Sequence, residues 1–347
     1  MWKRLLYILP ILLGIIGFCS IPFIVGVDDL LWTIGHIGWL YMVLFIVNSS
    51  GSLLFPALGW WILMRAEGMP VPLGTEVQAN LMGFPVNFLT PSMYLGGEPL
   101  KIIYISNVCE VPQRRVLATT IVAKFQELGG LVFGLIVASA LLIWHTDYFT
   151  KRNEALLIVI MILLVGLCGF VLYAFARRFK PLVALLDACA RFKVWQHQIV
   201  RLRHLVGELG DLIYVVFIHR AKTFLLAQVI TCLSAVSIFL RPWIFFSALP
   251  DLDVGFDQLC IIFVLTQLVN MFTIIPGSLG LFEGTMTGYA SVSGLGDDKG
   301  AAFAFINRIS DLTLVMIGGW LIAHYGLTKV ARGKQTPADT MTSNPPP

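Results

Sequence analysis

The sequence predicts an all-α, polytopic helical membrane protein, with about six full transmembrane helices and two re-entrant broken hairpins arranged as an inverted repeat. Three observations carry this prediction. The first is composition: 57% of residues are hydrophobic and 13% charged, with a mean hydropathy of +0.83, where soluble domains carry roughly a quarter of their residues as charges. Spread over 347 residues, that apolar content exceeds one water-soluble core and suits six or more spans of about 20 residues each. The second is the crowding of Lys and Arg into a few loops, which sets orientation. The third is a pattern of backbone breaks and charges that occurs twice.

Taken in order, Leu5 to Val25 is the first span, a retained signal anchor preceded by Lys3 and Arg4. The loop after it holds Asp28 and Asp29 without a basic residue, which places the N-terminus in the cytoplasm. Ile37 to Met64 returns inward and ends at Trp60, Trp61 and Arg65; its small-residue patch, Asn48 to Ser52, invites close approach of another backbone. Between Glu76 and Asn107, Gly83, Pro85, Pro91, Gly96, Gly97 and Pro99 interrupt apolar stretches too short to span, so a re-entrant hairpin is expected. Irregular backbone at that depth must be buried in protein or face a wet cavity.

Val116 to Trp144 then leads outward and Ala155 to Ala176 returns, followed by Arg177, Arg178 and Lys180. The stretch Pro181 to Lys222 mixes six basic residues with periodic apolar ones, as an amphipathic helix on the inner leaflet does, and ordinary positive-inside bias is sufficient to explain it. Thr223 to Ala248 goes outward, the loop Pro250 to Asp257 is acidic, and Gln258 to Ser293 contains a second break at Pro276, Gly277 and Gly280. Gly300 to Tyr325 closes the bundle on the cytoplasmic side, and residues 331–347 read as a disordered cytoplasmic tail. On this topology 18 of the 24 Lys and Arg are cytoplasmic and three lie in outside loops. Residues 1–330 are therefore expected to form one domain of the cell (inner) membrane, with repeats at about 37–145 and 223–326.

The repeat is specific. Asn87-Phe-Leu-Thr-Pro91 is followed by Glu98 and then by Lys124-Phe-Gln-Glu127, while Asn270 to Pro276 is followed by Glu283 and then by Arg308-Ile-Ser-Asp311. Proline to glutamate is seven residues in both units, glutamate to the basic residue is 26 and then 25, and each basic residue precedes an acid by three. Ile37 to Met64 runs inward whereas its counterpart Thr223 to Ala248 runs outward, so the units are inverted. That arrangement recurs in transporters, with the breaks meeting near the midplane. An ionisable residue at membrane depth is costly and by default functional or paired. Glu98, Lys124, Glu127, Glu283, Arg308 and Asp311 are accordingly the candidate substrate-binding or translocation residues, and Pro91, Gly96, Gly97, Pro276, Gly277 and Gly280 the re-entrant breaks. The plain alternative is a structural salt-bridge set that staples the hairpins into the bundle.

Other constellations are weaker. The six cysteines are scattered, never form C-x-x-C and read as small buried hydrophobes. His197 and His204 lack partners at ligand spacing, so no metal is expected. Asp28-Asp29 or Asp251-x-Asp253 would serve an alternative reading, a polyprenyl-phosphate-dependent glycosyltransferase, and a further alternative is an accessory membrane protein of lipid or glycan synthesis. No phosphate loop, nucleophile elbow or dinucleotide fingerprint occurs, and no cofactor or catalytic residue is expected.

At Pro91-Ser-Met-Tyr-Leu-Gly96-Gly97-Glu98, Lys124-Phe-Gln-Glu127-Leu128, Pro276-Gly-Ser-Leu-Gly280-Leu-Phe-Glu283 and Arg308-Ile-Ser-Asp311 the chain resembles the transmembrane region of lysylphosphatidylglycerol synthases and the stand-alone flippase-like family that shares it. The similarity runs from about Leu5 to Tyr325, and the second break is the more specific motif. Lys124 stands where the family usually has Arg, which keeps the charge and loses the planar fork. The resemblance implies a lipid-translocating fold whose two Glu and basic residues line the path. Aminoacyl-transferring members carry a large soluble domain after the membrane part, so lysyl transfer is not expected of this chain. The expected partners are membrane lipids, those with anionic head groups included; no nucleic acid is expected, and a homo-oligomer stays open. The leading expectation is a transporter or flippase that moves a phospholipid, hopanoid or polyprenyl-linked lipid across or within the cell membrane, rather than an enzyme.

Overall fold

The computed structural model describes residues 16–90, 95–145, 220–249, 254–271 and 275–333, with isolated positions between them. Among the described residues every regular element is helical: α1 (Ile16–Val25), α2 (Val27–Gly35), α3 (Trp39–Ala66), α4 (Leu73–Leu89), α5 (Glu98–Cys109), α6 (Gln113–His145), α7 (Ala221–Phe246), α8 (Phe256–Met271), α9 (Leu281–Val292) and α10 (Asp297–Gly333), with a 3₁₀ turn at Pro276–Ser278. Helices α3, α6, α7 and α10 are long and apolar enough to cross a membrane, and α1 with α2 forms a fifth candidate bent by 85°.

The four long helices coincide with four of the six expected spans; the count of six is matched only in part. Residues 5–15 of the first span lie outside the described residues. Its remainder turns at Gly26, whose φ of 101° suits glycine, into a helix where the sequence predicts an acidic loop. Asp28 and Asp29 stabilise the N-terminus of that helix through its dipole, and Thr33 donates to Asp298 Oδ2 at 3.0 Å, tying α2 to the start of α10. The expected span 155–176 and the basic stretch 181–222 fall almost entirely outside the described residues. So do Pro91, Asp251, Asp253, His197, His204 and residues 334–347. Helix α10 runs to Gly333, three residues into the expected tail.

Two successive sets of four helices mirror each other in length. Helices α3 to α6 have 28, 17, 12 and 33 residues, and α7 to α10 have 26, 16, 12 and 37. The sets meet along α3 and α7, which are antiparallel: Asn48 donates to the Ser237 carbonyl at 2.7 Å, while Gly59, further along α3, abuts Ala227 and Thr231 near the start of α7. Small residues line this contact because lipid offers no hydrophobic drive between helices, and close backbone approach supplies the van der Waals attraction. Helix α4 lies against α10, and α8 against α6, so each unit clasps the long closing helix of the other.

The core is divided accordingly. One apolar cluster gathers the C-terminal half of α3 (Trp60, Leu63, Met64), the first hairpin (Ala79, Met82, Tyr104, Ile105) and Ala227 of α7. Another gathers Phe45 at the other end of α3, Phe245 and Phe246 at the end of α7, and Ile262, Met286 and Ala302 of the second unit. The hairpins thus enter the bundle from opposite ends of the α3–α7 pair.

Candidate functional site

The first break is made by α4 and α5. Contacts from Asn87 to Gly97, Gly83 to Lys101 and Gln78 to Tyr104 show the two helices running antiparallel, so the chain returns to the end where it entered. Gly97 is required by close approach, since a β-carbon there would overlap the Gly83 carbonyl. Its N–H donates to Asn87 Oδ1 at 2.7 Å, satisfying one of the free donors that a helix N-terminus leaves. Glu98 opens α5 at the buried end of the hairpin. Gly96, beside it, lies in the turn before α5.

In the second break Pro276 starts a single 3₁₀ turn, and Gly277 (φ 62°) and Gly280 (φ 76°) take left-handed conformations that admit the reversal. Gly280 caps α9: its N–H donates to Glu283 Oε2 at 2.7 Å, the reciprocal half of a capping box. Both short helices therefore begin inside the protein with a glutamate in their first turn, where the positive end of the helix dipole favours it.

The long helices supply the cations. Lys124 and Arg308 each lie eleven residues after the first residue of their helix, or about 16 Å along the axis, which is close to the middle of a core about 30 Å thick. Lys124 Nζ bridges Glu98 Oε1 at 2.9 Å and Glu127 Oε2 at 2.7 Å. Glu98 also receives Lys101 Nζ at 3.0 Å, and Lys101 donates in turn to Asn80 Oδ1 at 2.8 Å over the Trp60 ring. In the second unit Arg308 Nε and Nη2 both reach Glu283 Oε1 at 2.6 Å, and Nη1 donates to the Gly277 carbonyl at 2.6 Å. The guanidinium lies near Phe88 of α4 and Phe282 of α9, 5.6 and 5.9 Å from the ring centroids. Asp311 is 3.9 Å from Nη1.

All six charges singled out from the sequence thus fall into two clusters, each built within one unit. The local i, i+3 pair is tight at Lys124–Glu127 and loose at Arg308–Asp311, because Glu283 and Gly277 already occupy the guanidinium. The sequence reading missed Lys101 and Arg241. Arg241 Nη1 donates to Asn307 Oδ1 at 2.9 Å, and Nη2 reaches Ser52 and the Ser49 carbonyl. Its signal was present, as an arginine inside a 26-residue apolar helix. Lys101 carried a weaker one, three residues after Glu98 on the same helical face.

In the first cluster Lys101 and Lys124 face Glu98 and Glu127; in the second Arg308 faces Glu283 and Asp311, and Arg241 lies on Asn307, one residue before Arg308. Accessibility differs: the Lys124 and Glu127 side chains are 20% and 35% exposed, whereas Arg308 and Glu283 are 3% and 0% exposed. Helix α1 contributes to that closure, since Gly17 packs on Gly280 and Phe18 on Phe305 with ring centroids 4.8 Å apart. Among the described residues no group of three or more His, Cys, Asp or Glu could hold a metal ion, and Asp28 and Asp29 are exposed on the first turn of α2.

The family model described as Lysylphosphatidylglycerol synthase TM region matches residues 9–319. A UPF0104 membrane protein of Methanothermobacter thermautotrophicus is 21% identical over 325 residues, covering 92% of this chain and 93% of that one. A UPF0104 membrane protein of Methanocaldococcus jannaschii is 20% identical over 304 residues, covering 86% and 88%. A further one from Methanothermobacter thermautotrophicus is 24% identical over 328 residues, covering 88% and 89%. No solved structure matches the chain.

Proposed function

The chain belongs to the family of the lysylphosphatidylglycerol synthase TM region, and we propose that it is a transporter that moves a lipid, with its head group passing along the two charged clusters, across the membrane. Its one membrane domain would be built of repeat units at about 37–145 and 223–326. The observation that carries this reading is the spare cation of the first cluster, where Glu98 contacts both Lys101 and Lys124. Lys124 can leave Glu98 for a phosphate while Lys101 keeps Glu98 neutralised. A purely structural staple needs one cation per acid at the break, and stripping the partner from a buried charge costs about 3–5 kcal/mol; a second cation removes that penalty when the first moves.

Glu98 and Glu283 hold the cations at rest and, by competing with a phosphate for them, set how readily the head group is released. Glu127 and Asp311 lie one helical turn further along the same faces, at the more exposed side of each cluster, and offer the cations a second resting place. Glycines and prolines at the breaks let the polar path interrupt the helices without leaving backbone donors unpaired.

The test is lipid movement in reconstituted phosphatidylcholine liposomes containing a fluorescent phosphatidylglycerol. Lys124→Ala, which leaves Glu98 paired with Lys101, is expected to lower the rate by about tenfold or more, the loss of one charge-assisted hydrogen bond of about 1.5–3 kcal/mol. Arg308→Ala should do the same. Unchanged rates in both variants, each shown folded by its thermal transition, would remove the reading.

A further inference from the structure

Glu76 is a buried carboxyl that the head-group path leaves unused. It lies in the first turn of α4, outside the four spanning helices and next to the exposed stretch 72–74, yet it is 0% exposed itself. Its Oε1 accepts from the Asn80 side chain. Its Oε2 is enclosed by protein and has no hydrogen-bond partner among the described residues. An ionised carboxylate enclosed in this way is strongly disfavoured, and such a group neutralises by holding a proton.

The surroundings connect this carboxyl to the path. Asn80, which donates to Glu76, accepts from Lys101 Nζ at 2.8 Å; Lys101 contacts Glu98 at 3.0 Å, and Glu98 contacts Lys124 at 2.9 Å. The chain Glu76–Asn80–Lys101–Glu98–Lys124 is therefore continuous from the entrance of the hairpin to its deep end. Of the elements around α4, α5 brings Lys101 and Tyr104, whose hydroxyl donates to Gln78 Oε1 at 2.7 Å. Helix α10 brings Tyr325, 4.9 Å from the Tyr104 ring. Helix α3 brings the Trp60 ring near Lys101 and Arg65 over Trp61 at 6.0 Å. Lys101 is the charge linked to Glu76 through a shared hydrogen-bond partner.

We propose that Glu76 is a proton-binding site that couples proton uptake to the binding and movement of an anionic lipid head group; this rests on the lipid-transport reading above. Neutral Glu76 leaves Lys101 on Glu98, so that Lys124 is free to follow a phosphate. Release of the proton to water at the hairpin entrance breaks one O–H bond and leaves a carboxylate, which draws Lys101 toward itself. Glu98 then depends on Lys124 and holds it back from the head group. Proton and head group favour each other's binding by the same factor.

The variant is Glu76→Gln, which keeps an acceptor for Asn80 and mimics the neutral acid. Two measurements are made on the full-length protein. Infrared spectra in nanodiscs are expected to show a protonated-carboxyl band in the wild type that fades as pH rises and is missing from Glu76→Gln. In phosphatidylcholine liposomes with fluorescent phosphatidylglycerol, wild-type movement should slow by about fivefold or more from acid to alkaline pH, the low end for coupled sites. Glu76→Gln should keep the acid rate at both. A wild type without the band, a band retained in Glu76→Gln, or an unchanged pH response in the variant overturns the coupling while lipid movement itself stands. A wild type that moves no lipid at any pH overturns the transport reading and the coupling with it.

Discussion

Glu283 and Glu127 are both acids paired with a cation, and their surroundings set very different costs for losing them. Removing Glu283 leaves the Arg308 guanidinium at 3% exposure without its carboxylate. Glu283→Ala is expected to destabilise the protein by about 3–5 kcal/mol. Glu127 is 35% exposed and its partner keeps Glu98, so Glu127→Ala is expected to cost at most about 1 kcal/mol. Thermal unfolding in one detergent checks the contrast, and equal losses would mean that the two clusters are equally enclosed. The six charges were legible in the sequence because ionisable residues stand out against apolar stretches and recur at matched spacing. Lys101 carried only the weak signal of its i, i+3 spacing from Glu98, and Glu76 none, since it lies at the entrance of the hairpin, where charges read as ordinary boundary residues. Whether such a carboxyl is enclosed depends on what packs over it.

Helix boundaries were more legible than helix contacts. The break at Pro276–Gly280 follows from residue type, because proline lacks a donor and glycine reaches the left-handed region without strain, and the break at Gly96–Gly97 holds a glycine where a β-carbon would overlap the Gly83 carbonyl. Two adjacent glycines of α10 show what residue type leaves open. A β-carbon on Gly318 would overlap the Leu81 carbonyl and meet Pro85 of α4, whereas one on Gly319 meets nothing within 4 Å. Gly318→Ala is expected to lower stability by about 1–3 kcal/mol through overpacking. Gly319→Ala should be neutral or stabilising by up to about 1 kcal/mol, the helix preference for alanine. The two melting temperatures, measured side by side, check this; a loss at Gly319 as large as at Gly318 would contradict the α4–α10 contact. Helix α2 was misread as a loop because its two acids suggest a solvated turn, yet they suit a helix N-terminus equally well.

Among the described residues, two units of four helices are joined along an antiparallel α3–α7 pair, with a hairpin entering from each end and the bent pair α1–α2 packed beside them. The C-terminal ends of the hairpins, at Glu110 and Val292, are both exposed and are expected on opposite faces of the membrane. In intact cells, an impermeant maleimide should label Val292→Cys, while Glu110→Cys should require permeabilisation; labelling of both from one face would refute the inverted arrangement. The sequence by itself determined the membrane class, the long apolar helices and the matched spacing of the prolines, glycines and charges among them. These follow from local properties: how apolar a stretch is, which residues break helices, and how rarely lipid tolerates a charge. Tertiary structure alone decided that the ion pairs of each cluster form within one unit, that Lys101 adds a second cation to Glu98, and that Arg308 is sealed while Lys124 is open. The reason is that burial and pairing belong to the space between helices, and close approach at single glycines fixes that space.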